Sequence, residues 1–160
     1  MQEIPFIKMH GLGNDFVIID QRKQDINLNQ NLIQRIADRN KGVGFDQLAI
    51  ILSSKEADAE LVFFNSDGSE SRTCGNATRC IAKHLMQEKK TNDLKLSTDG
   101  IILIAKMLGL ISHQSIWEFQ NLNGMTFRFQ KKLIHSSYQL KAIQLEPVLE
   151  TLIVHFLLKT

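Results

Sequence analysis

Glycine and aspartate, the residues that punctuate a chain with turns, stop almost completely at residue 109. The first 109 residues carry eight of the nine glycines and all nine aspartates, whereas the last 51 carry Gly124 alone. A segment of that length, rich in Leu, Gln and Ile yet nearly free of turn residues, does not share the organisation of what precedes it. The chain therefore divides into residues 1–109, where apolar runs alternate with turns, and residues 110–160, where they do not. With 160 residues, 43% apolar and 22% charged, the whole suits one domain with a real core and is too short for two full ones.

Charge and hydropathy exclude several classes. The net charge is +2, and Lys, Arg, Asp and Glu are interleaved, so no patch for nucleic acid is expected. No apolar run approaches the roughly 18 to 20 residues that cross a bilayer. The opening M-Q-E-I-P-F-I-K-M-H lacks the basic flank and long apolar stretch of a signal peptide. Two cysteines without an export signal point to free thiols in a reducing compartment. The expectation is a cytoplasmic globular protein.

Hydrophobic periodicity predicts strands at Phe6–Met9 and Phe16–Ile19 around the turn G-L-G-N-D, and an amphipathic helix over Asn29–Asn40 with Leu32, Ile33, Ile36 and Ala37 on one side. Strands follow at Leu48–Leu52 and Glu60–Phe64, the second ending in N-S-D-G. A second helix spans Ala77–Lys89, and strands Leu94–Ser97 and Ile101–Lys106 flank T-D-G. The order ββαββαββ with short connections predicts an α+β or α/β domain whose sheet is mostly antiparallel.

The densest chemical segment is S-R-T-C-G-N-A-T-R-C, residues 71–80. Cys74 precedes the second helix, where free N–H groups and the positive end of the dipole lie. A thiol there is expected to have a lowered pKa, and the same N–H groups can hold a carboxylate. Gly75 allows close backbone approach. The spacing alone fits equally well an inert buried thiol followed by a turn. Cys80 falls on the apolar stripe and reads as core. G-L-G-N-D-F has no third glycine and no following helix, so it is not a dinucleotide loop. Asn14, Asn65 and Asp67 can be simple turn formers, but three Asn-bearing turns (Asn14, Asn65, Asn76) together with Gln47 can also surround one polar ligand. His10 and His84 have no partners at metal spacing and read as structural.

Four strings, in order, carry a resemblance: F-I-K-M-H-G-L-G-N-D-F-V-I-I-D, A-D-R-N-K-G-V-G-F-D-Q, F-F-N-S-D-G-S-E and C-G-N-A-T-R-C. Over residues 6–109 they resemble the N-terminal half of the diaminopimelate epimerase family. Departures are mild: Ser66 where Ala is commoner, and A-T after C-G-N where G-A is commoner. Proline racemases and phenazine-biosynthesis isomerases share that fold without the H-G-L-G-N-D-F opening. The resemblance implies one half of a two-half α+β fold, a mostly antiparallel sheet wrapped around a central helix. It implies an isomerase interconverting LL- and meso-diaminopimelate, in lysine and peptidoglycan precursor synthesis, with no pyridoxal phosphate, metal or other cofactor. One cysteine thiolate takes the α-proton and a second thiol returns one on the opposite face. By motif position Cys74 matches one of the two cysteines, Asn14, Gln47 and Asn65 match substrate-binding amides, and Gly75 with Asn76 match the α-carboxylate loop. The family is homodimeric, with diaminopimelate as its small-molecule partner.

Residues 110–160 carry none of the motifs of the family's second half, and no cysteine follows Cys80. Shifted codons recover family-like strings from this tail. Q-S-I-W-E-F at 114–119, written CAG TCA ATA TGG GAA TTC, reads V-N-M-G-I when shifted, and the Gly is forced by Trp117 and Glu118. L-E-T-L-I-V-H-F at 149–156 has permitted codons that read G-N-P-H-C-T-F. Two motifs in order point to a single-base insertion or deletion near codons 109–110. Loss of the second half is expected to leave a sheet edge and apolar surface exposed. The run 148–158, V-L-E-T-L-I-V-H-F-L-L, is expected to be prone to aggregate.

Overall fold

The computed structural model describes residues 3–11, 13–111, 114–121 and 126–130, with side chains as far as Met107. A hairpin opens the chain: β1 (Ile7–Gly11) pairs antiparallel with β2 (Asn14–Asp20), Gly11 opposite Asn14, and Gly13 turns between them at φ +84°. Helix α1 (Gln30–Ala37) then carries the chain across to β3 (Gln47–Leu52), which lies parallel to β2. β4 (Ala59–Asn65) returns antiparallel to β3 and is followed by the two-residue β5 (Glu70–Ser71), paired to β4. Helix α2 (Gly75–Lys89) makes the second crossover, to β6 (Asp93–Thr98), parallel to β4. β7 (Ile101–Ile111), β8 (Gln114–Asn121) and β9 (Thr126–Gln130) continue as an antiparallel meander. The sheet order is β1-β2-β3-β4-β6-β7-β8-β9, with β5 beside β4.

Each parallel pair requires a crossover, and the two crossover helices lie on opposite faces. Strand alternation divides the core between them. On one face Met9, Phe16, Ile18, Ala49, Ile51, Leu61, Phe63, Leu94, Leu96 and Ala105 close around Ala77, Ile81, Ala82, Leu85 and Met86 of α2. Six strands thus wrap one helix. On the other face Val17, Ile19 and Leu48 meet Ile33, Ile36 and Ala37 of α1, with Phe6, Ile26 and Phe45 filling the margin. The fold is α+β with a mixed, mainly antiparallel curled sheet, as expected.

Both predicted helices and all six strands predicted before residue 107 are present, with ends that coincide or differ by at most five residues. The two parallel pairings, β5, β8 and β9 were not anticipated. Among the described residues of 3–107 the expected apolar exposure is also not found. Among residues whose side chains are described, Ile101, at 42% exposure, is the one exposed large apolar side chain. The reason is that α1 and α2 each cover a face of the sheet. At the sheet margin, β1 pairs on one side only among the described strands. The composition break falls inside β7, whose pairing with β8 is irregular between Met107 and Gly109. The run 148–158 lies outside the described residues.

Candidate active site

Three strand ends and a helix start converge at one end of the sheet. β2 and β3 run parallel and begin at that end, with Asn14 and Gln47; β4 runs against them and finishes there, with Asn65. The ladder sets Phe16 beside Gln47 and Gln47 beside Asn65. Asn14 is in phase with Phe16 and Ile18, Gln47 with Ala49 and Ile51, and Asn65 with Leu61 and Phe63. All of those apolar residues pack on α2, so the three carboxamides extend the α2-side rows where these leave the core. Gln47 Nε2 donates to Asn65 Oδ1 at 3.4 Å, and Asn65 Nδ2 donates to Ser69 Oγ at 3.0 Å.

Helix α2 begins at the same end. Cys74 is its N-cap, in extended conformation, and its Sγ accepts from Ala77 N at 3.4 Å. Its carbonyl accepts from Thr78 N and Thr78 Oγ1, both at 2.8 Å. The residue is buried (8% exposed). The cap position is as predicted, but the expected lowering of the thiol pKa is overturned. Burial pushes the Cys74 thiol up from its ordinary 9.0, against the opposing N–H groups of Ala77 and Asn76. A helix terminus lowers a thiol pKa where water reaches it; here desolvation is the larger effect.

Gly75 is exposed, and a Cβ built there would meet no atom within 4 Å. Asn76 faces the hairpin: a Cβ on Gly11 would lie 3.9 Å from Asn76 Cβ, 3.4 Å from Cys80 Sγ and 3.3 Å from an Arg79 guanidinium nitrogen. Gly11 therefore lets α2 pass close beneath β1. Among the described residues, the Asn14 and Asn76 carboxamides have no hydrogen-bond partner. Both residues are half-buried. Cys80 packs at the core margin with its Sγ 3.7 Å from the His10 carbonyl.

Behind Asn14 and Gln47, on the α1 side, lies a charged joint that sequence reasoning missed. Asp15 receives Arg39 through both carboxylate oxygens, at 2.8 and 3.0 Å, and Lys8 Nζ at 2.8 Å. Arg39 also reaches Asp46 Oδ1 at 2.8 Å, and Lys8 Nζ donates to the Gly44 carbonyl. Partial burial works against the Asp15 charge, but the hydrogen bonds from Arg39 and Lys8 outweigh it and hold this carboxyl well below the usual carboxylate range. The signal in the sequence was an acid directly before an apolar strand in two separate motifs, N-D-F and F-D-Q. Asp67 is a turn former as read: its Oδ1 accepts from Ser69 N and Oγ, while its carbonyl receives Gln30 and Gln34 of α1. Among the described residues, no group of three or more His, Cys, Asp or Glu could hold a metal ion, and no helix is long and apolar enough to cross a membrane.

The fold is similar to part of the chain in two solved structures. It is similar to the phenazine biosynthesis protein of the PhzF family from Bacillus anthracis, with a TM-score of 0.50 at 23% identity over 75% of this chain and 41% of that one. It is also similar to the Enterococcus faecalis member, with a TM-score of 0.51 at 17% identity over 73% of this chain and 44% of that one. Within that fold, residues 6–107 match the model of the diaminopimelate epimerase family, and the chain belongs to that family. The diaminopimelate epimerase of Pelagibacter ubique (strain HTCC1062) is 51% identical over 107 residues, covering 67% of this chain and 39% of that protein. That of Acidiphilium cryptum (strain JF-5) is 46% identical over 105 residues, 66% of this chain and 38% of that one. The chain thus spans about two fifths of the length of the curated relatives it matches.

Proposed function

We propose that this end of the sheet is one half of a two-base centre that interconverts LL- and meso-diaminopimelate in the cytoplasm, for lysine and peptidoglycan precursor synthesis, without a cofactor. The α-proton of an amino acid is very weakly acidic, so its removal needs a base in a dry, charge-complementary pocket. Cys74 is the acid–base group on one face of the substrate, base in one direction of the reaction and acid in the other. Its burial favours the neutral thiol, the form that returns a proton, and the Ala77 and Asn76 N–H groups stabilise the thiolate that remains. The substrate α-carboxylate rests against Gly75 and Asn76 at the start of α2, where the helix terminus stabilises developing charge. Asn14, Gln47 and Asn65 hold the remaining polar groups.

The observation that carries this reading is the convergence of a buried N-cap thiol and three strand-end carboxamides at one end of the sheet, in a chain whose relatives are named diaminopimelate epimerases. The mechanism needs a second thiol across the substrate. Cys80 lies six residues further along the same helix, against the His10 carbonyl, and does not occupy that place. The chain alone is therefore inactive as an epimerase. Residues 1–109 form the incomplete N-terminal domain, and residues 110–160 are translated out of frame. The family match ends at residue 107, two residues before the composition break, in support of that boundary.

The test is alkylation of the two thiols with and without diaminopimelate. The ligand is expected to slow modification of Cys74 and leave Cys80 unaffected. Equal rates at Cys74 with and without saturating diaminopimelate contradict the site assignment. In deuterated water the purified chain is expected to give no Cys74-dependent inversion or exchange at the α-carbon.

A further inference from the structure

We propose that the joint formed by Lys8, Asp15, Arg39 and Asp46 is a positioning device that sets the Asn14 and Gln47 carboxamides from behind. The inference rests on the assignment of those amides to the substrate site, and adds the residues that place them.

The geometry has three parts. First, Asp15 adjoins Asn14 and Asp46 adjoins Gln47, each acid one residue from its amide. Because side chains alternate across a strand, Asn14 and Asp15 leave opposite faces. Asp15 lies in phase with Val17 and Ile19 of the α1-side core, while Asn14 is in phase with Phe16 and Ile18 of the α2-side core. The acid can thus be gripped without intruding on the site.

Second, the two strand starts are stitched together before the regular ladder begins. Asp46 N donates to the Asp15 carbonyl and to Asp15 Oδ1, both at 3.0 Å, and Asp15 N donates to Asp46 Oδ2 at 3.0 Å. The ladder itself starts one residue later, at Phe16 and Gln47. Main chain and carboxylates together fix the spacing between the two strand starts that carry Asn14 and Gln47.

Third, Arg39 spans both carboxylates, bidentate to Asp15 and single to Asp46, from a loop held in place by Gly44. Gly44 has φ +72°, and a Cβ there would stand 2.8 Å from Arg39 Cγ and 3.0 Å from Arg39 Cα. The loop therefore accepts the arginine only where glycine stands. Bidentate arginine–carboxylate pairs fix orientation as well as adding energy. Four charges converge on a joint directly behind two amides, one of which has no partner among the described residues.

The experiment is nuclear magnetic resonance of the side-chain amides in the full 160-residue chain, comparing wild type with Arg39→Gln and Asp46→Ala. Both positions are well exposed, at 56% and 42%, so these changes spare the core. The Asn14 and Gln47 signals are expected to shift in both variants. Gln30 and Gln34, whose amides bond the Asp67 carbonyl, serve as references on α1 and are expected to hold still. Unmoved Asn14 and Gln47 signals overturn the proposal, and so does common movement of all four, which makes the joint a general brace. A diaminopimelate titration of the wild-type chain separates the two readings. Absence of binding counts against the function, while the amide shifts decide the positioning role without reference to ligand.

Discussion

The two helices of this domain begin with different chemistry. The start of α1 is capped by Asn29, whose side-chain oxygen accepts from Leu32 N at 2.9 Å, an ordinary and effective N-cap. At the start of α2 the cap is Cys74, a buried thiol whose sulfur accepts weakly at 3.4 Å. Sulfur is a poor acceptor beside a carboxamide oxygen, and burial raises the pKa of this thiol rather than charging it. The residue at the start of α2 is therefore not one that helix stability selects. The pair teaches that two helices of one domain can start on caps of unequal strength, and the weaker one stands where three carboxamides converge, as the catalytic role proposed for Cys74 requires.

Packing provides the harshest test of the contrast. Ile81 on α2 is fully buried among six strands, and Ile81→Ala is expected to cost about 2–5 kcal/mol, read by urea denaturation. Ile33→Ala on the eight-residue α1 belongs in the lower part of the same range, because a short helix on one face can settle into the cavity. A larger loss from α1 than from α2 breaks the assignment of the main core.

The two faces also differ in their response to pH. Asp15, on the α1 side, has a folded pKa below its ordinary 3.8. Its contribution is present above that value and is lost as pH falls below it. Cys74, on the α2 side, has a folded pKa above its ordinary 9.0. Its contribution is present below pH 9.0 and is lost as pH rises through the folded value. Asp15→Asn is expected to flatten the acid limb of the stability profile, and Cys74→Ser the alkaline limb. Stability curves measured across both limbs check the pairing, and an exchange of the two effects contradicts it.

Capping itself sharpens the comparison at a smaller scale. Asn29→Ala is expected to cost about 1 kcal/mol. Cys74→Ser, which substitutes a better acceptor, is expected to leave the thermal midpoint level or raised. A loss at Cys74→Ser as large as at Asn29→Ala makes the thiol a structural cap. An effect of similarly small size belongs to Gly75→Ala. The site has room for the methyl group, and replacing glycine by alanine in a compatible conformation stabilises by about 0.4–1 kcal/mol. The same methyl group stands where the carboxylate is proposed to rest, so the variant is expected to lose diaminopimelate protection of Cys74 while remaining folded.

Much of this contrast was legible in the residues. C-G-N before an apolar stripe marked the thiol as the start of a helix, and the four motifs marked Asn14, Gln47 and Asn65. Local pattern did not convey partnership. Periodicity defines a strand but not its neighbour, so the parallel pairings of β2 with β3 and β4 with β6 were invisible. β5 is two residues long and has no alternation to read. The Asp15–Arg39 and Asp15–Asp46 contacts join residues 24 and 31 positions apart, beyond any window. The Cys74 pKa was misjudged for a related reason: the dipole is local and readable, whereas burial comes from six strands. β8 and β9 arise in a segment almost without turn residues, where turn punctuation has nothing to report.

The most direct measurement is to sequence the gene through codon 110 and past the stop codon. The account predicts that the shifted frame stays open after codon 110 and encodes the remaining family motifs with a second cysteine. A shifted frame that closes at once contradicts it, and residues 110–160 are then the native continuation of the chain.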